Sequence, residues 1–202
     1  MAELHFQDGL WWAHDHKDIG GWLEQRNEHL SKVWPYIKDW SCAVDAGAFC
    51  GAWTVSLAER FEKVYAFEPS ERHYNCLVKN TEHLKNVVAI NKPLMDKACP
   101  VHLKVEVIPR LKPVERGHVP NMEAVALDGF NLKPGFIKLD VEGVEPLVLR
   151  GAFKTLESHP VILVEEKGHS KGWSNMTSGQ ILDKLGYKEV LKMKPDHLWL
   201  VP

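Results

Sequence analysis

Several things are missing from this 202-residue chain, and each absence excludes something. No apolar run approaches the roughly 20 residues that a membrane-spanning helix needs, so no membrane span is expected. The opening MAELHFQDGL lacks the basic-then-apolar pattern of a secretory signal, and the expected location is cytoplasmic. There is no basic surplus. Net charge is −2 and the pI is 6.6, which argues against nucleic acid as the main partner. Cysteine is sparse, and no pair among Cys42, Cys50, Cys76 and Cys99 has C-x-x-C spacing. Neither a zinc ribbon nor a redox pair is indicated, and reduced thiols are expected. Repeats, low-complexity tracts and linkers are also absent. Without a secretion signal, the sequon at Asn175-Met176-Thr177 reads as chance.

What remains is ordinary globular material, 45% apolar and 26% charged, in a length that suits one α/β domain. Residues 1–40 read as a helical lead-in able to act as a lid, and residues 41–202 as the main body. The lead-in carries Trp11, Trp12, Trp22, Trp34 and Trp40. Gly20-Gly21 is expected to break it, with a helix from Trp22 to Ile37. Aromatics there suit a lid, a sugar platform or plain packing. Beyond it, strands are expected at Cys42–Asp45, Lys63–Phe67, Val87–Asn91, Phe136–Asp140 and Val161–Glu165. Helical patterns separate them. Alternation over Val101–Ile108 predicts a partly exposed antiparallel strand, followed by a loop from Pro109 to Pro120. Glu123–Leu127 reads as a short strand. Thr177 and Gln180 have capping-box spacing, Gly186 is a helix stop, and Tyr187–Met193 and His197–Val201 close the chain as two strands. Strands alternating with helices imply a mostly parallel sheet covered on both faces.

The stretch from Cys42 to Ser70 carries the chemistry. It reads as strand, acid, glycine turn, helix, strand, acid. Asp45 to Gly51 form D-x-G-x-x-x-G, which is not the G-x-G-x-x-G that seats a pyrophosphate on a helix N-terminus. An acid ahead of the first glycine disfavours a diphosphate. It suits the cationic amino end of S-adenosylmethionine, met directly or through water. Gly47 and Gly51 let the backbone approach a ligand. Glu68 ends the next strand, where a carboxylate can accept both ribose hydroxyls. Asp96 is either an acceptor for the adenine amino group or a solvated loop acid, with Leu94 and Met95 able to pack on the ring. Thr54 and Pro69 complete the expected cofactor set. Asp45, Glu68, Asp140 and Glu165 all fall at expected carboxyl ends of strands, where open α/β sheets bind ligands.

Three segments resemble the FkbM-type methyltransferases, a branch of the class I S-adenosylmethionine-dependent fold: VDAGAFCGAWT, VYAFEPS, and FIKLDVEGVEPLVLRGA followed by PVILVEE. They span most of residues 42–166. The resemblance implies a Rossmann-like α/β fold, with a seven-stranded, mostly parallel sheet whose last strand is antiparallel. It implies cofactor contacts at Asp45, Gly47, Glu68 and the Asp96 loop, and methyl transfer to oxygen on a sugar or other small hydroxylated acceptor.

Such a transfer needs the acceptor oxygen held in line with the methyl and relieved of its proton. Asp140 is expected near the methyl and acceptor, with Glu165 or His169 as base. Glu142 reads as a structural carboxylate that accepts backbone N–H groups ahead of the next helix. Asp140 with Glu165 or Glu166 offers hard oxygen ligands, but no dedicated metal cluster stands out, so no metal is expected. His14-Asp15-His16 is too irregular in context for a metal site. The alternatives are N-methylation of a peptide or nucleic acid, and a non-catalytic protein that keeps the cofactor. A nicotinamide oxidoreductase is disfavoured by the missing pyrophosphate turn.

Overall fold

The computed structural model describes residues 4–13, 19–104, 110–112, 119–165 and 174–202. In chain order the strands and helices are β1 (His5–Gln7), β2 (Leu10–Trp12), α1 (Ile19–Val33), β3 (Cys42–Ala46), α2 (Ala52–Ala58), β4 (Lys63–Phe67), α3 (Glu71–Thr81), β5 (Val87–Ile90), β6 (Cys99–Lys104), β7 (Arg110–Lys112), β8 (Met122–Ala124), β9 (Phe136–Leu139), α4 (Glu145–Arg150), β10 (Val161–Glu165), α5 (Ser178–Lys184), β11 (Lys188–Met193) and β12 (Asp196–Leu200).

The central sheet has seven strands in the order β11-β12-β10-β9-β3-β4-β5. From β10 across to β5 every pairing is parallel, and β12 runs antiparallel to both its neighbours. The expected sheet, with its last strand reversed, is therefore the observed one. The chain leaves β3 toward β4 and β5 on one side and returns to β9 and β10 on the other. That reversal opens a crevice beyond the carboxyl ends of β3 and β9. The central strands lie between helical layers and read as apolar runs: Ala43, Val44, Ile137, Leu139, Ile162 and Leu163 are at most 1% exposed.

Local chemistry fixes the ends of the elements. Thr177 caps α5 by accepting from the Gln180 N–H, and the Gln180 side chain accepts from the Thr177 N–H, as the spacing predicts. Pro146 sits in the first turn of α4, where no N–H is needed.

Three expectations fail for physical reasons. First, Gly20-Gly21 does not break the lead-in helix. α1 starts at Ile19, runs through both glycines and ends at Val33, before a 3-10 turn at Trp34–Tyr36 that contains Pro35. Ile19 is 1% exposed and packs with Trp12, Cys50 and Cys76, so tertiary burial outweighs the roughly 1 kcal/mol per residue that glycine costs in a helix. Second, the lead-in also holds a hairpin, β1–β2, turned by Asp8 (φ 51°) and Gly9 (φ 80°). Asp-Gly is the dipeptide that such a turn favours. Third, the Pro109–Pro120 stretch is not all loop, because Arg110–Lys112 forms β7 against β6. Residues 105–109 and 113–118 lie outside the described residues.

Most of the lead-in tryptophans are packing. Trp12 is fully buried, Trp34 packs at a tilt against Trp40, and Trp40 packs at a tilt against Phe61. Arg60 lies over Trp34 and Trp40. Trp22 differs: it is 43% exposed and stands edge-on to Phe49 in the glycine turn.

Candidate active site

β3 delivers Asp45 to the crevice, and the chain then turns sharply. Gly47 (φ 82°) and Gly51 (φ 88°) are both left-handed, and so is Phe49 (φ 52°) between them. The structure gives each glycine a reason inside the protein. A Cβ on Gly47 would lie 1.8 Å from the Asp140 carbonyl oxygen, and one on Gly51 would lie 2.8 Å from Leu77 Cδ1. The turn is thus packed between the end of β9 and the side of α3. Asn80 on α3 fastens it by donating to the Cys50 carbonyl (2.7 Å) and to Trp11 (2.9 Å), while accepting the Trp11 N–H. One buried amide couples the N-terminal hairpin to the glycine turn.

Glu68 follows β4 and is 5% exposed. Oε2 accepts the Phe49 N–H at 2.9 Å and Oε1 accepts the Ser70 N–H at 2.8 Å. Burial pushes its carboxyl up to about 7, against the pull of those two backbone donors. Of about four acceptor positions on a carboxylate, these two bonds leave about two. Asn91, which the sequence reading overlooked, donates to the Glu68 and Pro69 carbonyls and steadies this corner.

Asp45 and Thr54 are fully buried, and Thr54 Oγ1 donates to Asp45 Oδ2 at 2.7 Å. Any part these two side chains play in ligand binding is from beneath the turn. Beside them lies Lys138, a second residue missed in the sequence although FIKLD was in view. Its Nζ is 3.2 Å from Asp140 Oδ2 and 3.9 Å from Asp45 Oδ1. Burial pushes Asp45 up, and Lys138 and Thr54 hold it down. For Lys138, burial lowers, but Asp140, Asp45, Asp196 and Glu165 together outweigh it and raise the ammonium. Asp140 is nearer and partly solvated, so Lys138 pairs first with Asp140.

Asp140, Glu142 and Glu165 converge at the rim, each half-buried, with one carboxylate oxygen apiece mutually within 4.8 Å. The set can hold a proton, a cationic group or a hard metal ion. Glu145, which the sequence does not single out, also supports this loop. It is 5% exposed, and its Oε1 accepts the Val141 and Gly143 N–H groups, both at 3.0 Å. Glu142 takes the left-handed corner (φ 57°). Glu145→Ala is expected to destabilise the fold by about 2–4 kcal/mol by stranding two donors, with Glu145→Gln less than half as costly because it keeps the accepting oxygen. Thermal unfolding of the two variants checks this.

The remaining assignments divide. Asp96 is half-buried, and its Cα would lie 3.0 Å from a Cβ on Gly151. Leu94 and Met95 are 2% and 4% exposed and belong to the main core. His169, Glu166 and His14-Asp15-His16 lie outside the described residues. On the far side of the rim, β12 begins at Asp196, register partner of Glu165. Asp196 pairs with His29 Nδ1 of α1 at 2.7 Å.

The fold and this rim define a class I methyltransferase architecture. The Methyltransferase FkbM domain matches residues 45–190. The chain belongs to the FkbM methyltransferase family, whose cofactor is S-adenosylmethionine. Among solved structures it is similar to the methyltransferase FkbM from Methylobacillus flagellatus KT, with 18% identity and a TM-score of 0.55, covering 79% of this chain and 43% of that one. The chain thus spans less than half of that protein. It is also similar to a precorrin-6y C5,15-methyltransferase from Geobacter metallireducens GS-15, with 14% identity, a TM-score of 0.54 and 93% of each chain covered. A third is the N-methyltransferase NodS from Bradyrhizobium japonicum WM9 with S-adenosyl-L-homocysteine, with 9% identity, a TM-score of 0.51, and 91% of this chain and 87% of that one covered. These likenesses show the fold. No curated protein matches the chain in sequence. Among the described residues no helix is long and apolar enough to cross a membrane.

Proposed function

We propose that this chain methylates a hydroxyl oxygen of a small acceptor, a sugar or similar polyol, with S-adenosylmethionine as donor. The carrying observation is the trio Asp140, Glu142 and Glu165, three half-buried acids gathered where β9 and β10 end. Carboxylates in that position can accept a hydroxyl proton and hold the oxygen in line.

The residues fit the cofactor at both ends. Glu68 keeps about two acceptor positions after binding Phe49 and Ser70, which matches two ribose hydroxyls. Asp45, Asp140, Asp196 and Glu165 outnumber Lys138 and His29, the partner of Asp196, which suits a ligand with an ammonium and a sulfonium against one carboxylate. When bound, the cofactor supplies an electrophilic methyl. The protein's part is then to orient and to accept a proton. Gly47 and Gly51 shape the turn, Glu68 and Pro69 hold the ribose corner, and Asp96 receives the adenine amino group. Asp45 and Thr54 brace the turn from below. Asp140 orients the acceptor beside the methyl, and Glu165 or His169 takes the proton.

Methyl-labelled S-adenosylmethionine, incubated with monosaccharides, glycosides and primary amines, tests the reading. Label in alkali-stable ethers supports it, whereas label only in amines moves the chain to N-methylation. Asp140→Asn is expected to lower turnover at saturating S-adenosylmethionine at least about 100-fold, in line with the loss of a general acid–base or orienting group. Unchanged turnover would take Asp140 out of the mechanism.

A further inference from the structure

Lysine is out of place inside β9. All four residues of FIKL are buried, and Lys138 is 4% exposed in the middle of a parallel sheet. Burying an ammonium is expensive, and a buried ion pair is often no more stable than an apolar replacement of the same volume. A lysine here calls for a reason other than stability.

The geometry supplies one. Residues two apart on a strand share a face, which puts Asp140 on the same side as Lys138. Lys138 is also the register partner of Asp45 on β3. Its Nζ stands between the two acids, 3.2 Å from Asp140 Oδ2 and 3.9 Å from Asp45 Oδ1, with the Trp53 ring centroid 5.4 Å away. Asp45 has committed Oδ2 to Thr54, and its Oδ1 has no hydrogen-bond partner among the described residues. That oxygen faces the Lys138 ammonium, with the Asp140 carboxylate also acting on it. Asp140 makes the shorter contact, and it is the acid that reaches the rim, its side chain 26% exposed.

We propose that Lys138 is a positioning residue of the methyl-transfer site: it holds the Asp140 carboxylate turned toward β3 and thereby sets the charge that the amino-acid end of S-adenosylmethionine meets. The inference rests on the methyltransferase reading above. Without the ammonium, Asp45 and Asp140 face each other across adjacent strands with no cation between them. One then takes a proton or swings away. The adenosine end of the cofactor belongs to the Glu68 corner, beyond the glycine turn, where Asp45 and Asp140 are only the lesser influences behind burial and two backbone donors.

Calorimetric titration separates the two ends. S-adenosylmethionine and 5′-methylthioadenosine, which lacks the amino-acid end, are each titrated into the wild-type protein, Lys138→Met and Lys138→Arg. Lys138→Met is expected to lose S-adenosylmethionine affinity by at least about tenfold while 5′-methylthioadenosine stays within about twofold. Lys138→Arg keeps the charge and is expected to hold the wild-type ratio within about threefold. If Lys138→Met does not fold, Lys138→Met with Asp45→Asn removes the stranded carboxylate along with the ammonium. The same loss of preference is expected there, because Asp140 still lacks its ammonium. An unchanged ratio, or equal weakening of both ligands, overturns the assignment and leaves Lys138 a structural ion. A wild-type protein that binds neither ligand overturns the methyltransferase reading as well. Wild-type binding with an unchanged ratio in the variants overturns Lys138 alone.

Discussion

Gly47→Ala is expected to cost the fold about 4 kcal/mol and to remove measurable S-adenosylmethionine binding. Two effects add. An alanine at φ 82° carries backbone strain of about 1–2 kcal/mol. Its Cβ would also lie 1.8 Å from the Asp140 carbonyl oxygen and 2.7 Å from the carbonyl carbon. Those atoms are backbone, so relief requires β3 and β9 to part at the crevice. The Gly47 N–H donates to the Phe67 carbonyl, which also accepts from Ala48, so the turn cannot tilt away without losing both bonds. For a domain of this size, 4 kcal/mol lowers the unfolding midpoint by roughly 10 °C. Gly186→Ala is the control. Gly186 is also left-handed, at φ 86°, but nothing lies within 4 Å of where its Cβ would stand. It should show the strain alone. Equal losses in the two variants would mean that the close approach to β9 is not what Gly47 provides.

That comparison bears on how far a sequence can be read. The Asp45–Gly51 spacing announces a sharp turn after β3. It does not announce that a Cβ at Gly47 or Gly51 would meet Asp140 or Leu77. Turn chemistry is local and legible; what a missing Cβ makes room for is tertiary. The same division runs through the fold. The five parallel strands of the sheet could be placed because each is a short, mostly apolar run ended by an acid or a turn residue. The lead-in could not. The start of α1 depends on Ile19 being buried against Trp12 and Cys50, a contact between segments that no periodicity encodes. The β1–β2 hairpin was legible in principle from Asp8-Gly9, but a three-residue strand on each side is too short to show alternation.

In the site, residue type was legible and partnership was not. Asp45, Glu68, Asp140 and Glu165 stand at strand ends as expected. Lys138 carries no signal of its own in FIKLD, because its pairing with Asp45 across β3 is set by tertiary register. The role of Glu145 has a similar origin. Either acid in DVEGVEP can serve the loop's N–H groups. The left-handed corner at Glu142 sends its carboxylate to the rim, and Glu145, in the first turn of α4, lies under the loop. Asn80 and Asn91 carry no sequence signal, and their value lies in which carbonyls they reach.

The second large effect concerns Glu68, and it comes with a proton. Glu68→Ala is expected to weaken S-adenosylmethionine binding about 100-fold or more, since hydrogen bonds to a charged group are worth roughly 1.5–3 kcal/mol each and the ribose offers two. Glu68→Gln, which keeps one acceptor for the turn, guards against a collapsed site being mistaken for a lost contact. The wild-type affinity should also depend on pH. Burial lifts the Glu68 carboxyl to about 7, so the ligand-free protein holds a proton there in mildly acidic solution. Two ribose hydroxyls donate only to the ionised form, so binding below pH 7 must expel that proton. Affinity is then expected to rise with pH by up to about tenfold per unit and to level off above about 7. Titration at pH 6 in buffers of different ionisation enthalpy should show release of close to one proton, and Glu68→Gln should release none from this site. Stability of the ligand-free protein runs the other way. A carboxyl whose folded value is raised stabilises most below its unfolded value of 4.5, and the contribution is lost as pH rises through about 7. The ligand-free protein should therefore lose stability between those limits while the cofactor binds more tightly across the same range. Glu68→Gln should flatten both trends. A wild-type affinity that stays constant from pH 5.5 to 8 would show that Glu68 does not meet the ribose as a newly ionised acceptor.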